Sequence, residues 1–303
     1  MGKWTIGDMP RQTGRVAVVT GTGGLGFEVA QALSRAGADV VIAGRDPRKG
    51  ADAVAQIQSE VPVAKVRFSV LDLASLTSIA HFAERLRDEQ QQVDLLVNNA
   101  GVMVPPERRE TADGFELQFG TNHLGHFALT GQLLPLLQAS PGARVVSVSS
   151  VAARAGSVDW DDWNARGGYD AMPVYARSKI ACLMFAFEFE RRSAAAGWNI
   201  RSIAAHPGVA RTELLHNGPG RGSMHSRVRS LLPFLFQPAA QGALPLLFAA
   251  TSPDAEPGGY YGPDRVGETR GHPAKAKIPP QALAGAAAEQ LWTLSQDATG
   301  VRL

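Results

Sequence analysis

A glycine-rich turn between a buried strand and a helix constrains the fold of this chain more than any other feature. The apolar, β-branched run at 15–20 predicts a strand, and Gly21-Thr-Gly-Gly-Leu-Gly26 follows it directly. Helical spacing then predicts a helix over 24–36, ended by Gly37. In this setting glycines let a pyrophosphate approach the helix N-terminus, which favours anions. The turn therefore predicts dinucleotide binding, the alternative being a merely tight turn.

Strands and helices alternate along most of the chain, and the strands are apolar throughout. This pattern is typical of a parallel sheet covered by helices on both faces. We predict a single-domain Rossmann fold over residues 1–303, a doubly wound parallel sheet of about seven strands. Strands are predicted at 15–20, 38–43, 65–70, 93–98, 143–149, 199–205 and 260–262, and later helices at 47–59, 74–88, 115–138, 173–195, 238–251 and 280–297.

The composition argues against several functional classes. The 303 residues have a net charge of +2 and no long basic run, so nucleic-acid binding is not expected. The single cysteine, Cys182, leaves no disulfide framework or cysteine zinc site within one chain, and the scattered histidines predict no metal site. We find no signal peptide and no apolar run of the ~18 residues that a membrane span needs, which fits a cytoplasmic location.

The end of the second strand bears on the choice of cofactor. An NAD-selective dehydrogenase usually places an acid there, whereas an arginine accommodates the 2′-phosphate of NADP. Here Gly44 stands at the acid position and Arg45 follows. We therefore predict a preference for NADP(H), with NAD(H) as the alternative. Arg45 could instead be a solvated loop residue, and Asp46 is expected to cap the next helix.

Tyr175 and Lys179 lie four residues apart on a predicted helix, so they share one face. A nearby ammonium lowers the pKa of a phenol, and a tyrosine so placed can exchange a proton near neutral pH. Alone, such a pair usually only packs and contacts solvent. A catalytic role therefore depends on what the rest of the site supplies.

Further polar residues follow the predicted strands, at the sheet edge where ligands bind. Asp72 could contact the adenine or cap the next helix. The asparagines of Asn98-Asn-Ala-Gly101 are as often structural as functional in such a turn. Ser147, Ser149 and Ser150 end strand five, and His206-Pro-Gly208 ends strand six.

Together these motifs resemble the short-chain dehydrogenase/reductase (SDR) family, and within it the retinol-dehydrogenase-like branch. The resemblance runs from about Lys3 to the C-terminal helix and implies an oxidoreductase acting on CH–OH and C=O groups. The glycine turn departs from the family pattern T-G-x-x-x-G-x-G in being one residue shorter. The motifs are the glycine turn, Asp72, Asn98–Gly101, Asn122-His-Leu-Gly-His-Phe127, Ser147–Ser150, Tyr175-Ala-Arg-Ser-Lys179 and His206-Pro-Gly-Val-Ala-Arg-Thr212.

The resemblance implies a catalytic tetrad of Asn122, Ser150, Tyr175 and Lys179. Tyr175 would protonate the substrate oxygen, Ser150 would position that oxygen, Lys179 would bind the nicotinamide ribose, and Asn122 would hold a water near the lysine. Ser150 is preferred to Ser149 because the branch with an enlarged loop here places its serine 25 residues before the tyrosine. The cofactor-binding residues expected are Gly21, Thr22, Gly23, Leu25, Gly26, Arg45, Asp72, Leu73, Asn99, Ala100, Gly101, Tyr175, Lys179, Pro207, Gly208, Val209 and Thr212.

Residues 207–237, rich in Pro, Gly, Arg and Ser, are predicted to form a substrate-binding lid. Leu214-Leu215 and the run 231–236 favour an apolar or bulky small-molecule substrate carrying a carbonyl or alcohol, unless Phe234 and Phe236 belong to the core. A basic, apolar lid can also touch a membrane surface, which we do not expect here.

Two rival functions remain open. A reductase of a carbon–carbon double bond can use the same Tyr/Lys pair, and a dinucleotide sensor would bind the cofactor without turnover. The family tendency is a homodimer or homotetramer formed through helices 115–138 and 173–195. The insert at 151–171 could block that contact.

Overall fold

The computed structural model, which describes residues 3–210 and 237–303, contains one eight-stranded sheet. The strands are β1 (Val16–Thr20), β2 (Asp39–Gly44), β3 (Lys65–Val70), β4 (Leu95–Asn98), β5 (Arg144–Val148), β6 (Arg201–Ala205), β7 (Tyr260–Arg265) and β8 (Arg270–Lys275). Their order is β3-β2-β1-β4-β5-β6-β7-β8, with β1 to β7 parallel and β8 antiparallel to β7. The predicted doubly wound Rossmann fold is confirmed, and its strand order reverses between β1 and β4.

Helices cover both faces of the sheet, because every parallel strand needs an apolar layer on each side. The helices are α1 (Gly24–Arg35), α2 (Pro47–Glu60), α3 (Leu76–Glu89), α4 (Leu117–Phe119), α5 (Gly125–Gln132), α6 (Leu134–Gln138), α7 (Ala171–Ala196), α8 (Ala239–Thr251) and α9 (Gly285–Thr299). One face packs against α1, α2 and α8, and the other against α3, α5 and α7. Within the described ranges, no helix combines the length and hydrophobicity that crossing a bilayer requires.

The helix predicted over 115–138 is present from Leu117 to Gln138, but it is not one regular α-helix. The segment is divided into α4, a π-helical turn over Gly120–Leu124, α5 and α6. At Gly125 the backbone of this segment packs directly on the loop after β3. A Cβ at this position would lie 2.4 Å from the carbonyl oxygen of Leu73. Pro135, at the start of α6, has no N–H with which to continue α5.

The eighth strand, β8, was not predicted. Its sequence, Arg270-Gly-His-Pro-Ala-Lys275, contains no alternation of apolar and polar residues. It forms the edge of the sheet, where a proline is tolerated because only one side needs hydrogen bonds. The C-terminal helix also begins later than predicted, at Gly285, after a 3-10 turn over Pro280–Leu283.

Helix α9 packs on the outer surface of α5 and α7. Trp292 is only 2% exposed, and its ring stacks on Phe185 with centroids 6.0 Å apart and packs edge-on against Phe127 at 5.2 Å. A Cβ at Gly131 would lie 2.4 Å from a methyl of Val301, so the segment after α9 covers α5 as well. The C-terminal segment therefore covers part of the surface through which dimerisation was expected.

We expect Trp292→Ala to lower the free energy of unfolding by about 3–5 kcal/mol, the usual cost of removing a buried Trp. Trp292→Phe should cost clearly less, because the indole N–H of Trp292 has no partner among the described residues and no hydrogen bond is lost. Urea denaturation of the two variants and the wild type measures both. Equal losses for Phe and Ala would contradict this description of the aromatic contact.

Candidate active site

The glycine turn lies at the carboxyl end of β1, beside the point where the strand order reverses. Gly21 has φ +101° and Gly24 φ +53°, values that L side chains rarely adopt. A Cβ at Gly26 would lie 2.5 Å from the carbonyl oxygen of Gly21. Gly23 is the N-cap residue of α1 and has no side chain to accept from the first N–H groups. Those groups suit an anion, so the turn fits a dinucleotide pyrophosphate.

The end of β2 is closed to an acidic side chain. A Cβ at Gly44 would lie 2.8 Å from the methyl of Thr22, which the short glycine turn places above it. Asp46 accepts hydrogen bonds from the N–H groups of Arg48 and Lys49, so its predicted capping role is confirmed. Arg45 is exposed beside this turn.

Asp72 and Leu73, both predicted to contact the cofactor, make contacts with the protein itself at the end of β3. The Asp72 carboxylate accepts from the N–H of Ala74 at 2.9 Å, whereas the residue that caps α3 is Ser75. The interpretation of Asp72 as a helix cap is therefore wrong, and its adenine contact stays a prediction. Leu73 is 7% exposed and presents its carbonyl to Gly125. Thr212 and most of the predicted lid lie outside the described residues.

Asn122 lies in the π-helical turn, and its side-chain amide forms two hydrogen bonds with the main chain of Val102. Its Oδ1 accepts from the N–H of Val102 at 2.8 Å, and its Nδ2 donates to the carbonyl of Val102 at 3.0 Å. Nδ2 also donates to Ser178 Oγ at 2.9 Å, and Ser178 donates to the carbonyl of Tyr175. Asn122 thus joins the loop after β4 to helix α7. Neither Val102 nor Ser178 was predicted, because the contacts are to backbone or hydroxyl groups distant in sequence.

His126 links Asn122 to Thr20, and the neighbouring groups define its tautomer. Nδ1 lies 2.9 Å from the carbonyl oxygen of Asn122 and must donate to it. Nε2 of the neutral ring therefore accepts, and the Thr20 hydroxyl is shared between this nitrogen at 3.0 Å and the carbonyl oxygen of Val97 at 3.2 Å. The same hydroxyl accepts from the N–H groups of Asn99 and Ala100 at 2.8 and 2.9 Å. Burial lowers the pKa of His126 to about 4, which keeps the ring neutral.

Lys179 and Tyr175 are both buried, at 5% and 6% exposure. The lysine Nζ lies 5.9 Å from the centre of the tyrosine ring and donates to the carbonyl of Val148 at 3.0 Å. A Cβ at Gly101 would lie 2.8 Å from Asn122 Oδ1 and 3.7 Å from Lys179 Nζ, so these groups meet at the turn after β4. An ammonium has three N–H groups, and those not bonded to Val148 can bind a ligand hydroxyl.

The two serines that end β5 have different partners. Ser149 is buried, and its hydroxyl donates to the carbonyl of Lys179 at 2.8 Å. Ser150 is half-buried, and its Oγ accepts from the N–H of Ala152, which leaves its proton for a ligand. This difference favours Ser150 over Ser149 as the serine that contacts substrate.

A cavity of about 10 Å³ lies beside Asn122. It is also lined by Asn98, His123, His126, Ser147, Val148, Cys182 and Phe185. Its walls include Asn98 Oδ1 and Ser147 Oγ, for which the described residues supply no hydrogen-bond partner. A polar cavity of this size accommodates about one water molecule. Cys182 donates to the carbonyl of Asn122, and burial raises the pKa of its thiol, so it suits the core rather than nucleophilic chemistry.

The turn after β6 is held by close backbone contacts. Gly208 has φ +66°, and a Cβ there would lie 2.3 Å from the carbonyl oxygen of Thr269. The N–H of Val209 donates to that same oxygen at 2.8 Å. The carbonyl of Pro207 accepts from the side chain of Gln237 at 2.6 Å. Elsewhere in ranges 3–210 and 237–303, no three His, Cys, Asp or Glu side chains are grouped to hold a metal.

Comparison with known proteins gives consistent matches. Residues 15–219 match the family model described as short chain dehydrogenase. Polyprenol dehydrogenase of Mus musculus is 42% identical over 260 residues, which cover 84% of this chain and 76% of that protein. Retinol dehydrogenase 12 of Homo sapiens is 38% identical over 296 residues, 95% of this chain and 87% of that protein. The crystal structure of an uncharacterized protein from Mycobacterium paratuberculosis is similar at a TM-score of 0.81 and 37% identity, covering 99% of this chain and 98% of the other.

The buried histidines make stability dependent on pH. Burial, with a smaller contribution from His126, lowers the pKa of His123 to about 3, below the ~6.5 of an unfolded chain. Below pH ~6.5 the unfolded chain therefore binds a proton that the folded protein does not, and stability falls as the pH is lowered.

We expect His123→Phe to reduce this slope by about one proton, or ~1.4 kcal/mol per pH unit near pH 5. Urea denaturation between pH 7 and pH 5 measures the slope. His81→Gln, at an exposed position on α3, is the control and should leave it unchanged. A slope that is the same in His123→Phe and the wild type would exclude a neutral His123.

Proposed function

This chain belongs to the short-chain dehydrogenase family, and we propose that it reduces or forms a carbonyl group on an apolar or bulky small molecule, using NADP(H) and Tyr175 as the general acid/base. The matches also confirm the resemblance to the retinol-dehydrogenase-like branch. An NAD(P)-dependent enzyme of this family interconverts CH–OH and C=O groups. The observation that carries the proposal is the meeting of Lys179 Nζ and Asn122 Oδ1 at Gly101, beside the tyrosine ring.

In the proposed reduction, the bound nicotinamide supplies the hydride, and the protein supplies orientation and a proton. Ser150 donates its free hydroxyl proton to the substrate oxygen and so positions the carbonyl. Tyr175 gives its phenolic proton to that oxygen as negative charge develops on it. Lys179 favours the phenolate that remains and offers its other N–H groups to the ribose. Oxidation uses the same groups in reverse.

Proton supply to this pair is the role proposed for Asn122. The small polar cavity beside it has room for one water. A water held there or on the lysine side of Asn122 would return a proton to Lys179 after each turnover. General acid/base assistance of this kind contributes roughly 10²–10⁴-fold to the rate.

The preference for NADP(H) rests on Gly44, Thr22 and Arg45. An acid that would bind the ribose 2′-hydroxyl cannot replace Gly44 unless the methyl of Thr22 moves. Asp46, the nearest carboxylate in sequence, is already occupied as the cap of α2. Exposed Arg45 is free to meet a 2′-phosphate. NAD(H) remains the alternative cofactor.

The proposed substrate class follows from the relatives. Polyprenol and retinol, named in the two relatives at 42% and 38% identity, are both apolar alcohols. The apolar residues of the predicted lid that favour the same class lie outside the described residues. Product analysis separates the rival reduction of a carbon–carbon double bond from this proposal. Tight NADPH binding without NADPH oxidation across a broad carbonyl panel would favour the rival sensor.

Oligomeric state and location stay predictions. A homodimer or homotetramer through α5 and α7 would have to displace α9 or use the parts of those helices that α9 leaves free, because Trp292 and its neighbours cover the rest.

We expect Tyr175→Phe to bind NADPH nearly as well as the wild type but to lose at least 10²-fold in kcat, since only the transferable proton is removed. Steady-state oxidation of NADPH with a carbonyl panel, alongside fluorescence titration of NADPH, measures both. Tyr169→Phe is the matched control, because among the described residues the Tyr169 hydroxyl bonds only to Pro105 and Gln118. This variant should keep kcat within about threefold of the wild type. Turnover of Tyr175→Phe near the wild-type rate would refute the proposed acid.

We expect Arg45→Ala to raise KM for NADPH about tenfold or more and to change KM for NADH much less. The loss corresponds to one charge-assisted hydrogen bond to a phosphate, worth roughly 1.5–3 kcal/mol. Arg48→Ala, at an exposed position in the first turn of α2, is the control. An unchanged ratio of kcat/KM for the two nucleotides would contradict the assignment of Arg45.

A further inference from the structure

The hairpin between β7 and β8 contains three successive residues in the left-handed region. Val266, Gly267 and Glu268 have φ of +50°, +62° and +67°. A β-branched valine is a true outlier there, and a glutamate is uncommon. Such conformations persist only where the surroundings enforce them, and they cluster at functional sites. The question is therefore what this turn holds in place.

The turn directs the carboxylate of Glu268 into the protein. Oε2 accepts from His206 Nε2 at 3.0 Å and from Arg154 Nη2 at 2.6 Å, and Oε1 accepts from the N–H of Lys277 at 2.9 Å. Burial alone would raise the pKa of Glu268, but the hydrogen bonds from His206 and Lys277 and the charge of Arg154 lower it to about 2. Glu268 is thus an ionised carboxylate whose two oxygens both accept hydrogen bonds.

One partner of Glu268 belongs to the turn after β6. His206 is fully buried, and its Nδ1 accepts from the N–H of Gly208 at 3.2 Å. Its Nε2 therefore carries the proton that is donated to Glu268. His206 directly precedes Pro207 and Gly208, which the family resemblance assigns to the cofactor. Thr269, next to Glu268, accepts from the N–H of Val209 in the same turn.

The other partner belongs to the segment that follows the proposed substrate-binding serine. Arg154 lies in the 3-10 turn Val151–Ala155, whose N-cap residue is Ser150. Besides its ion pair with Glu268, its Nη1 donates to the carbonyl of Gly267 at 3.1 Å. A single carboxylate therefore bonds to both the Ser150 segment and the Gly208 turn.

We propose that Glu268, acting through Arg154 and His206, is a positioning residue that sets the Ser150 segment against the turn at 207–209. The inference rests on the proposed function, in which the serine holds the substrate oxygen and the turn holds the nicotinamide end of NADP(H). Reacting groups must be held within a fraction of an ångström, and a displacement of about 1 Å can cost 10²-fold in rate. The strained hairpin is maintained because it delivers this carboxylate.

Two variants test the proposal without relying on turnover alone. Glu268→Gln keeps the shape but removes the charge, and Glu268→Gly removes the side chain while relieving the left-handed backbone. Glu256→Gln is the control, because Glu256 forms an exposed ion pair with Lys275 at the end of β8, away from His206 and Arg154. For each protein we would measure the Kd for NADPH by fluorescence, the Tm without cofactor, and kcat and KM with an active carbonyl substrate.

We expect both Glu268 variants to raise the Kd for NADPH at least fivefold and to lower kcat at least tenfold, whereas Glu256→Gln stays within twofold. The Tm of Glu268→Gly should equal or exceed that of Glu268→Gln, since strain is relieved although function is lost. Arg154→Met should change the Kd for NADPH and kcat to a similar extent. The double variant Arg154→Met/Glu268→Gln should differ little from either single variant in both quantities.

A lowered Tm with wild-type Kd and kcat would mean that Glu268 is only structural and would overturn the inference. Fully additive effects of Arg154→Met and Glu268→Gln would overturn it too. These results leave the proposed function standing as long as the wild type binds NADPH and reduces a carbonyl. A wild type that binds no NADPH would refute the proposed function, and the inference with it.

Discussion

The hydroxyl of Thr20 links the glycine turn after β1 to the π-helical turn that carries Asn122. It accepts from the N–H groups of Asn99 and Ala100 and donates to His126, whose other nitrogen donates to the carbonyl of Asn122. This chain of bonds requires a neutral imidazole, since a protonated ring would present a third N–H donor to a hydroxyl oxygen that already accepts from Asn99 and Ala100. Burial supplies that condition by lowering the pKa of His126. The shape of the site thus depends on one uncharged side chain in the core.

The same site depends on backbone positions where no side chain fits. Gly26, Gly101 and Gly208 each lie where a Cβ would come within 2.8 Å of another atom. Through these contacts the turn after β1 approaches Asn99, the turn after β4 approaches Asn122 and Lys179, and the turn after β6 approaches Thr269. The lysine and the asparagine then meet at Gly101. Close packing of turns therefore places groups that are far apart in sequence.

Most of the fold could be predicted because its signals are local. The apolar run before Gly21 and the helical spacing after it suffice for β1 and α1, and the later strands repeat the pattern. The strand β8 could not be predicted, because an edge strand needs no apolar face. The π-helical turn at Gly120–Leu124 was missed because it lies within a run whose side chains are buried on all sides. Trp163 docks on Phe115 and Phe119 through contacts that periodicity cannot reveal.

Site residues could be predicted from the sequence only where the residue type and its spacing indicate the chemistry. Tyr175 and Lys179 are recognisable by spacing, and the structure brings them together in the core. Ser150 could be separated from Ser149 by resemblance, and their different partners favour the same choice. Glu268 had no signal, because its importance lies in a backbone conformation and in partners more than sixty residues away along the chain.

The central claim is that hydride passes between NADPH and a carbonyl carbon while Tyr175 supplies the proton. The most direct measurement uses NADPH deuterated at both C4 positions with an apolar ketone or aldehyde, and locates the label in the product by mass spectrometry and NMR. Deuterium on the carbon that bears the new hydroxyl is the expected result. Deuterium on a former double-bond carbon, with the carbonyl intact, would contradict the claim.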